Sequence, residues 1–143
     1  MRYVITIILM LVASTGWAGN YRFRHIDSKS GLPHQQVEAL AQDAKGYMWI
    51  GTRNGLARYD GYDIRTYYHT SRPRSLSHNF VHGLHVDRKN RLWITTENGI
   101  SRYCPDSDDF CNYAPEKGLF WSISETSQGD IFFGRIVCLE RLK

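Results

Sequence analysis

Cysteine is scarce in this chain: three residues among 143, at positions 104, 111 and 138, and no two of them have a zinc-type spacing. Lysine is scarce too, with 5 against 13 arginines, and charges of both signs are scattered along the chain, which does not indicate a nucleic-acid partner. No glycine-rich phosphate loop, no phospho-acceptor histidine in a helical hairpin and no receiver-like βα pattern is found. Asp106, Asp108 and Asp109 lack the glycine and distal glutamate that a calcium loop requires, so they read as a solvated acidic turn. His82 and His85 fall on opposite faces of a strand, which argues against a shared metal ion. Neither a cofactor nor a metal is expected.

What the chain does contain is a repeat. Residues 46–61, with Trp49-Ile50-Gly51-Thr52, Asn54-Gly55 and Arg58-Tyr59, return 44 positions later as Trp93-Ile94-Thr95-Thr96, Asn98-Gly99 and Arg102-Tyr103. A period in this range marks propeller blades, solenoids or other arrays. Hydrophobic residues make up 42% of the chain and aromatics 13%, enough to build a core. The aromatics sit in short runs with Val, Ile and Thr, which favours an all-β fold.

Short alternating segments fill in the plan. Tyr21 to Ile26 reads as a strand, ended by Ser30-Gly31-Leu32-Pro33. Strands follow at Val37 to Gln42, Met48 to Thr52, Leu56 to Tyr59 and Ile64 to His69. Asp43 to Gly46 is a turn, and Asn54-Gly55 and Asp60-Gly61 are hairpin signals, with Gly55 expected at positive φ in a type I′ turn. Four strands joined by tight turns make an antiparallel propeller blade. A second blade follows at Phe80 to Val86, Arg91 to Thr96, Ile100 to Tyr103 and Phe110 to Tyr113. A third, degraded copy has strands at Trp121 to Glu125 and Ile131 to Gly134 and lacks the Asn-Gly hairpin. The expected fold is all-β: a partial β-propeller of two four-stranded antiparallel blades plus a degraded third, at about 31–70, 75–114 and 118–143.

Arg2, the apolar run Val4 to Val12 and small residues ending at Ala18 form the pattern of a secretory signal peptide over residues 1–18. An uncleaved N-terminal anchor is the alternative. Residues 19–143 are then expected to form an exported N-terminal fragment of a propeller, carrying a net charge of +3 once Arg2 is removed from the +4 of the whole chain. Two and a half blades would leave open faces, so the expected partners are the remaining blades of a longer protein or further copies of the chain. No membrane contact is expected after cleavage. In an oxidising compartment Cys104 and Cys111 could bridge a hairpin, and the spacing leaves both paired and free thiols open.

On Gly31-Leu32, Val37, Leu40, Asp43, Gly46, Trp49-Ile50-Gly51-Thr52, Gly55-Leu56 and Tyr59-Asp60, the chain resembles the two-component-regulator propeller repeat. The second copy carries Leu76, Val81, Leu84, Asp87, Trp93-Ile94, Thr96, Gly99-Ile100 and Tyr103, and departs at Asn90 for Gly, Thr95 for Gly and Cys104 for Asp. The resemblance implies a periplasmic sensor region of a hybrid histidine kinase, detecting an oligosaccharide and not itself an enzyme. A secreted glycan-active propeller enzyme and a protein-interaction scaffold are the alternatives.

Loops before the first strand of a blade and between its second and third strands share one rim, and function concentrates on such loops. That rim holds the ligand-binding candidates His34, Gln35, Arg53, His78, Asn79 and Glu97. Trp49 and Trp93 read as core packing between blades rather than sugar platforms. Thr52 and Thr96 read as strand fillers.

Overall fold

The computed structural model describes residues 22–113, 118–135 and 139–142, the last of these as backbone. Residues 1–18, where a signal peptide is expected, and Cys138 lie outside the described residues. After a 3₁₀ turn at Ser28–Ser30 come eleven strands: β1 Val37–Gln42, β2 Met48–Thr52, β3 Gly55–Tyr59, β4 Ile64–Tyr67, β5 Val81–Val86, β6 Leu92–Thr96, β7 Gly99–Cys104, β8 Asp109–Tyr113, β9 Phe120–Glu125, β10 Ile131–Arg135 and β11 Leu139–Leu142. They form three antiparallel meanders, β1-β2-β3-β4, β5-β6-β7-β8 and β9-β10-β11. Strands β1, β5 and β9 neighbour one another, so each sheet is a blade with its first strand innermost.

Strand alternation decides what each blade buries. Trp49, Leu56 and Tyr67 share the face of blade one that packs on Val81, Ile94 and Phe110 of blade two. Trp93 and Ile100 turn to the other side of blade two and meet Phe120, Ile131 and Phe133 of blade three. Gly51 lies in the first interface, where an added Cβ would come within 2.6 Å of Val81 Cγ1. The departure from the repeat at Thr95 is compensated inside its own blade. Thr95 pairs with Gly83, whereas Gly51 pairs with Ala39 and Gly134 with Ser122. One member of this strand pair is a glycine in every blade.

The remaining face of blade one is covered only in part, by the segment that precedes it. Ile26 and Leu32 pack against Ile50, Ala57 and Ile64, and Arg24 donates to Tyr59 Oη (2.8 Å) and to the Gly61 carbonyl (3.0 Å). This segment is not the strand expected from Tyr21 to Ile26. Residues 22–27 pair with no sheet edge, and Phe23 projects into solvent. Alternation without a partner edge made no strand. Asp27 then caps the 3₁₀ turn by accepting from the Lys29 and Ser30 backbone N–H groups.

The Asn-Gly hairpins also differ from expectation. Thr52 pairs with Gly55, so Arg53 and Asn54 are the loop, and neither has positive φ. A type I′ turn needs positive φ at both loop residues and is therefore excluded. The left-handed backbone falls on Gly55 (φ +122°), just after the turn, and on Gly99 (φ +99°) in blade two. The threonines stabilise these turns and are more than fillers. Thr52 Oγ1 accepts from the Asn54 N–H and donates to the Gly55 carbonyl, and Thr96 does the same for Asn98 and Gly99.

Gly51→Ala is expected to destabilise the chain by roughly 1–3 kcal/mol by overpacking the interface, and Val81→Ala in the same chain should recover part of that loss. Gly55→Val should lower the melting temperature further than Arg53→Ala, because its Cβ would meet Tyr68 Cε1 at 2.9 Å and the Tyr67 carbonyl at 3.0 Å. Equal shifts for these two variants would contradict the turn assignment.

Candidate functional site

Two devices hold the blades rigid enough to present a site. In the first, an aspartate opens the turn after the inner strand. Asp43 Oδ1 accepts from the Lys45 and Tyr47 N–H groups, and its Oδ2 accepts from Trp49 Nε1–H at 2.9 Å. Asp87 repeats this on Lys89, Arg91 and Trp93, again with 2.9 Å to the indole, and adds the Arg91 guanidinium at 2.6 Å. Burial of Asp87 pushes its carboxyl up, but the Trp93 indole and the Arg91 donors outweigh burial and leave it below the usual carboxylate range. Asn90, standing where the repeat has glycine, takes a left-handed backbone (φ +57°), and its side chain accepts from the Ala44 N–H across the blade boundary.

The second device is a clamp between blades one and two. Asp108 accepts from Tyr67 Oη–H (2.8 Å) and Tyr103 Oη–H (2.6 Å), and it pairs with Arg65 and, at 3.6 Å, with Arg58. Arg58 also lies over the rings of Tyr47 and Trp49. Burial raises the Asp108 carboxyl, and the two tyrosines and two arginines pull it below its ordinary value. Asp109 binds Arg74 at 2.7 Å. Within the acidic turn Asp108 is thus an inter-blade anchor and Asp109 an ion-pair partner, while Asp106 is solvent-exposed as expected. Cys104 and Cys111 flank it on β7 and β8 as free thiols with Sγ atoms 2.7 Å apart. Among the described residues no group of side chains is arranged to hold a metal ion.

The rim residues divide by what already occupies them. His34 Nδ1 accepts from the Gln36 N–H (3.0 Å) and His78 Nδ1 from the Phe80 N–H (3.1 Å), so both imidazoles cap the approach to an inner strand. Burial shifts His78 towards its neutral form. Asn79 holds its neighbours, accepting from the His69 N–H through Oδ1 and from the Gly55 N–H through its carbonyl. Gln35 lines a separate cleft of about 300 Å³ with His25, Ile26 and Leu32. Arg53 and Glu97 each reach inward to an inner strand: Arg53 Nε donates to Glu38 at 2.8 Å, and His82 Nε2 lies 2.7 Å from Glu97 Oε2.

Glu38 and His82 occupy equivalent positions, and both are bulged. The β1–β2 register slips between Val37 and Ala39, and the β5–β6 register between Val81 and Gly83. In blade three the β9–β10 register slips across Trp121. A bulge takes one residue out of the ladder and re-aims its side chain. The rings then line up across the blades: Arg53 lies 5.1 Å over Phe80, Phe80 stacks on His82 at 4.2 Å, and His82 lies 4.5 Å from Trp121. Glu38, Phe80, His82 and Trp121 were not among the rim candidates. The sequence did carry a signal in Val37/Leu40, Val81/Leu84 and Phe120/Ile123, apolar pairs three apart where a regular strand would place them two apart.

A cleft of about 380 Å³ opens at the opposite rim, lined by Asp43, Lys45, Arg58, Lys89 and Arg91 among others. Arg58 and Arg91 are committed there to Asp108 and Asp87.

Residues 31–54 and 75–98 match the two component regulator propeller, so the chain carries two such repeats. Histidine kinase P4 of Formosa agariphila is 30% identical over 64 residues, 45% of this chain and 5% of that protein. The extracellular domains of two hybrid two component systems from B. thetaiotaomicron superpose with TM-scores of 0.68 (24% identity, 77% of this chain, 17% of that one) and 0.65 (25% identity, 75% and 16%). Virginiamycin B lyase from Staphylococcus aureus superposes at 0.59 with 19% identity, over 76% of this chain and 38% of that one. The chain spans only a small part of each of these relatives. The structural likenesses establish the propeller fold.

Each matched repeat contains one aspartate–indole turn, and the turn in blade two is the more deeply buried. Asp87→Ala should cost roughly 2–3 kcal/mol by stranding the Trp93 indole N–H and two backbone donors. Because the Asp87 and Asp108 carboxyls are depressed in the folded state, the stability they supply is present above the unfolded aspartate value of about 3.9 and is lost as pH falls through their lower folded values. Thermal melts between neutral and strongly acid pH should therefore show a shallower acid decline in Asp87→Asn than in the parent chain. An identical decline would refute the linkage.

Proposed function

We propose that this chain, built on repeats of the two-component-regulator propeller, is a ligand-sensing segment of a two-component signalling receptor. The two in-register repeats carry this reading, supported by the likeness to extracellular domains of hybrid two component systems. On this reading residues 1–18 direct export, residues 19–143 work in the periplasm, and the ligand is an oligosaccharide. The segment supplies binding; any phosphotransfer belongs to another part of the receptor. Val37 and Leu40, 42% and 62% exposed on the innermost strand of blade one, take up a further blade when the ring closes.

Of the rim candidates, Arg53 and Glu97 are best placed to answer to a ligand, since their own side chains stay 49% and 44% exposed while each pairs with an inner-strand residue. His34, His78 and Asn79 act by holding the loops, and Gln35 belongs to the neighbouring cleft.

Titration calorimetry of the chain with oligosaccharides should show saturable binding without turnover, weakened by Glu97→Ala and by Arg53→Ala. Cleavage of a bound oligosaccharide would transfer the protein to the enzyme class. Binding untouched by every rim substitution would remove the rim from the site.

A further inference from the structure

The bulge of the innermost strand recurs in all three blades at the same place, and each time it delivers one side chain to the same line: Glu38, His82 and Trp121. We infer that this line, continued by Phe80, is the sugar-contacting surface of the segment, and that it takes a neutral rather than an acidic oligosaccharide. The inference rests on the sensor reading above and specifies its contacts and ligand class.

Recurrence is the first argument. A bulge breaks ladder hydrogen bonding and is retained where a side chain must be re-aimed. Three bulges in register, bearing a carboxylate, an imidazole and an indole, keep the backbone device constant while the chemistry at its tip changes from blade to blade.

Exposure is the second. The His82 side chain is 3% exposed, held between Phe80 and Trp121 and tied to Glu97. Trp121 is 54% exposed, whereas Trp49 and Trp93 are buried in the blade interfaces. Among the described residues the last ring of the stack is therefore an exposed indole set against the His82 ring. The face of a pyranose carries polarised C–H groups that suit the negative face of an indole. Its hydroxyls can donate to a carboxylate, and Glu97, 44% exposed, is oriented by His82, the ring that adjoins Trp121.

Charge decides the class of sugar. The fork of an arginine would favour a uronate or a sulfated sugar if it were available. Arg53 offers only part of that fork, and as one half of an ion pair: its Nε is paired with Glu38 at 2.8 Å and its guanidinium lies over Phe80. With Glu38 and Glu97 both present, the line carries two carboxylates against one guanidinium. An anionic ligand would have to displace an ion pair and then approach Glu97. A neutral ligand does neither.

Trp121 is the most exposed tryptophan among the described residues, so indole emission reports on it directly. The whole chain is titrated with hexasaccharides of glucose, mannose and xylose, and with a galacturonate hexasaccharide as the acidic probe. At least one neutral hexasaccharide should shift the emission. Calorimetry should show the same ligand bound about tenfold more weakly by Trp121→Ala, with Trp121→Phe retaining most of the affinity and the far-ultraviolet dichroism unchanged. Lys45→Ala, at the opposite rim, should leave affinity unaltered. Affinity within about twofold of the parent in both Trp121→Ala and His82→Ala would overturn the bulge line while leaving the sensor reading in place. Tighter binding of galacturonate than of any neutral probe would overturn the ligand class. Failure of the intact chain to bind any of the four sugars would overturn this inference while leaving the sensor reading in place.

Discussion

A buried tryptophan needs an acceptor for its indole N–H, and in each of the first two blades an aspartate six residues earlier supplies one at 2.9 Å. The requirement reaches well beyond that bond. The same carboxylate gathers the backbone donors of the turn that follows the inner strand, fixing where the second strand begins and which way its indole points. Once that indole faces the next blade, the register of the whole meander follows from strand alternation. Blade three has Phe132 in place of the indole and Thr126 in place of the aspartate, and there the turn is held by a hydroxyl accepting from Gln128 and Asp130.

Arginine is used here mainly as a structural material. Arg58 stacks on Tyr47 and Trp49 while reaching Asp108, and Arg102 lies over Trp93 and Tyr113 in the equivalent position of blade two. Planar guanidinium groups cover aromatic faces and still satisfy carboxylates, which the compact ammonium of lysine does less well. A count of arginines therefore says little about the charge of a ligand.

The repeat, the all-β fold, and the strands of the first two blades were legible because indole, Asn-Gly and Arg-Tyr recur at one spacing. The arm at 22–27 misled because alternation records which way side chains point and not whether a neighbouring edge exists. Gly55 was correctly singled out for its backbone, but its place one residue after the turn depends on Thr52 accepting from the Asn54 N–H. The rim could be drawn from loop order alone. The bulged residues could not, since a bulge looks like an ordinary strand residue until the partner register is known. The role of Asp108 was illegible for a similar reason: its partners come from three different strands, β3, β4 and β7.

The glycine that alternates between paired strands bears on how such arrays diversify. Blade one keeps it on β2 opposite Ala39, blade two on β5 opposite Thr95, and blade three on β10 opposite Ser122. A crossover between the first and second strands that joined blade two to either neighbour would inherit two glycines or none: a loosened pair in one case, a steric collision in the other. Recombination of blade two with a neighbour therefore has to carry the first two strands across together, and that hairpin, rather than the single strand, behaves as the unit of inheritance.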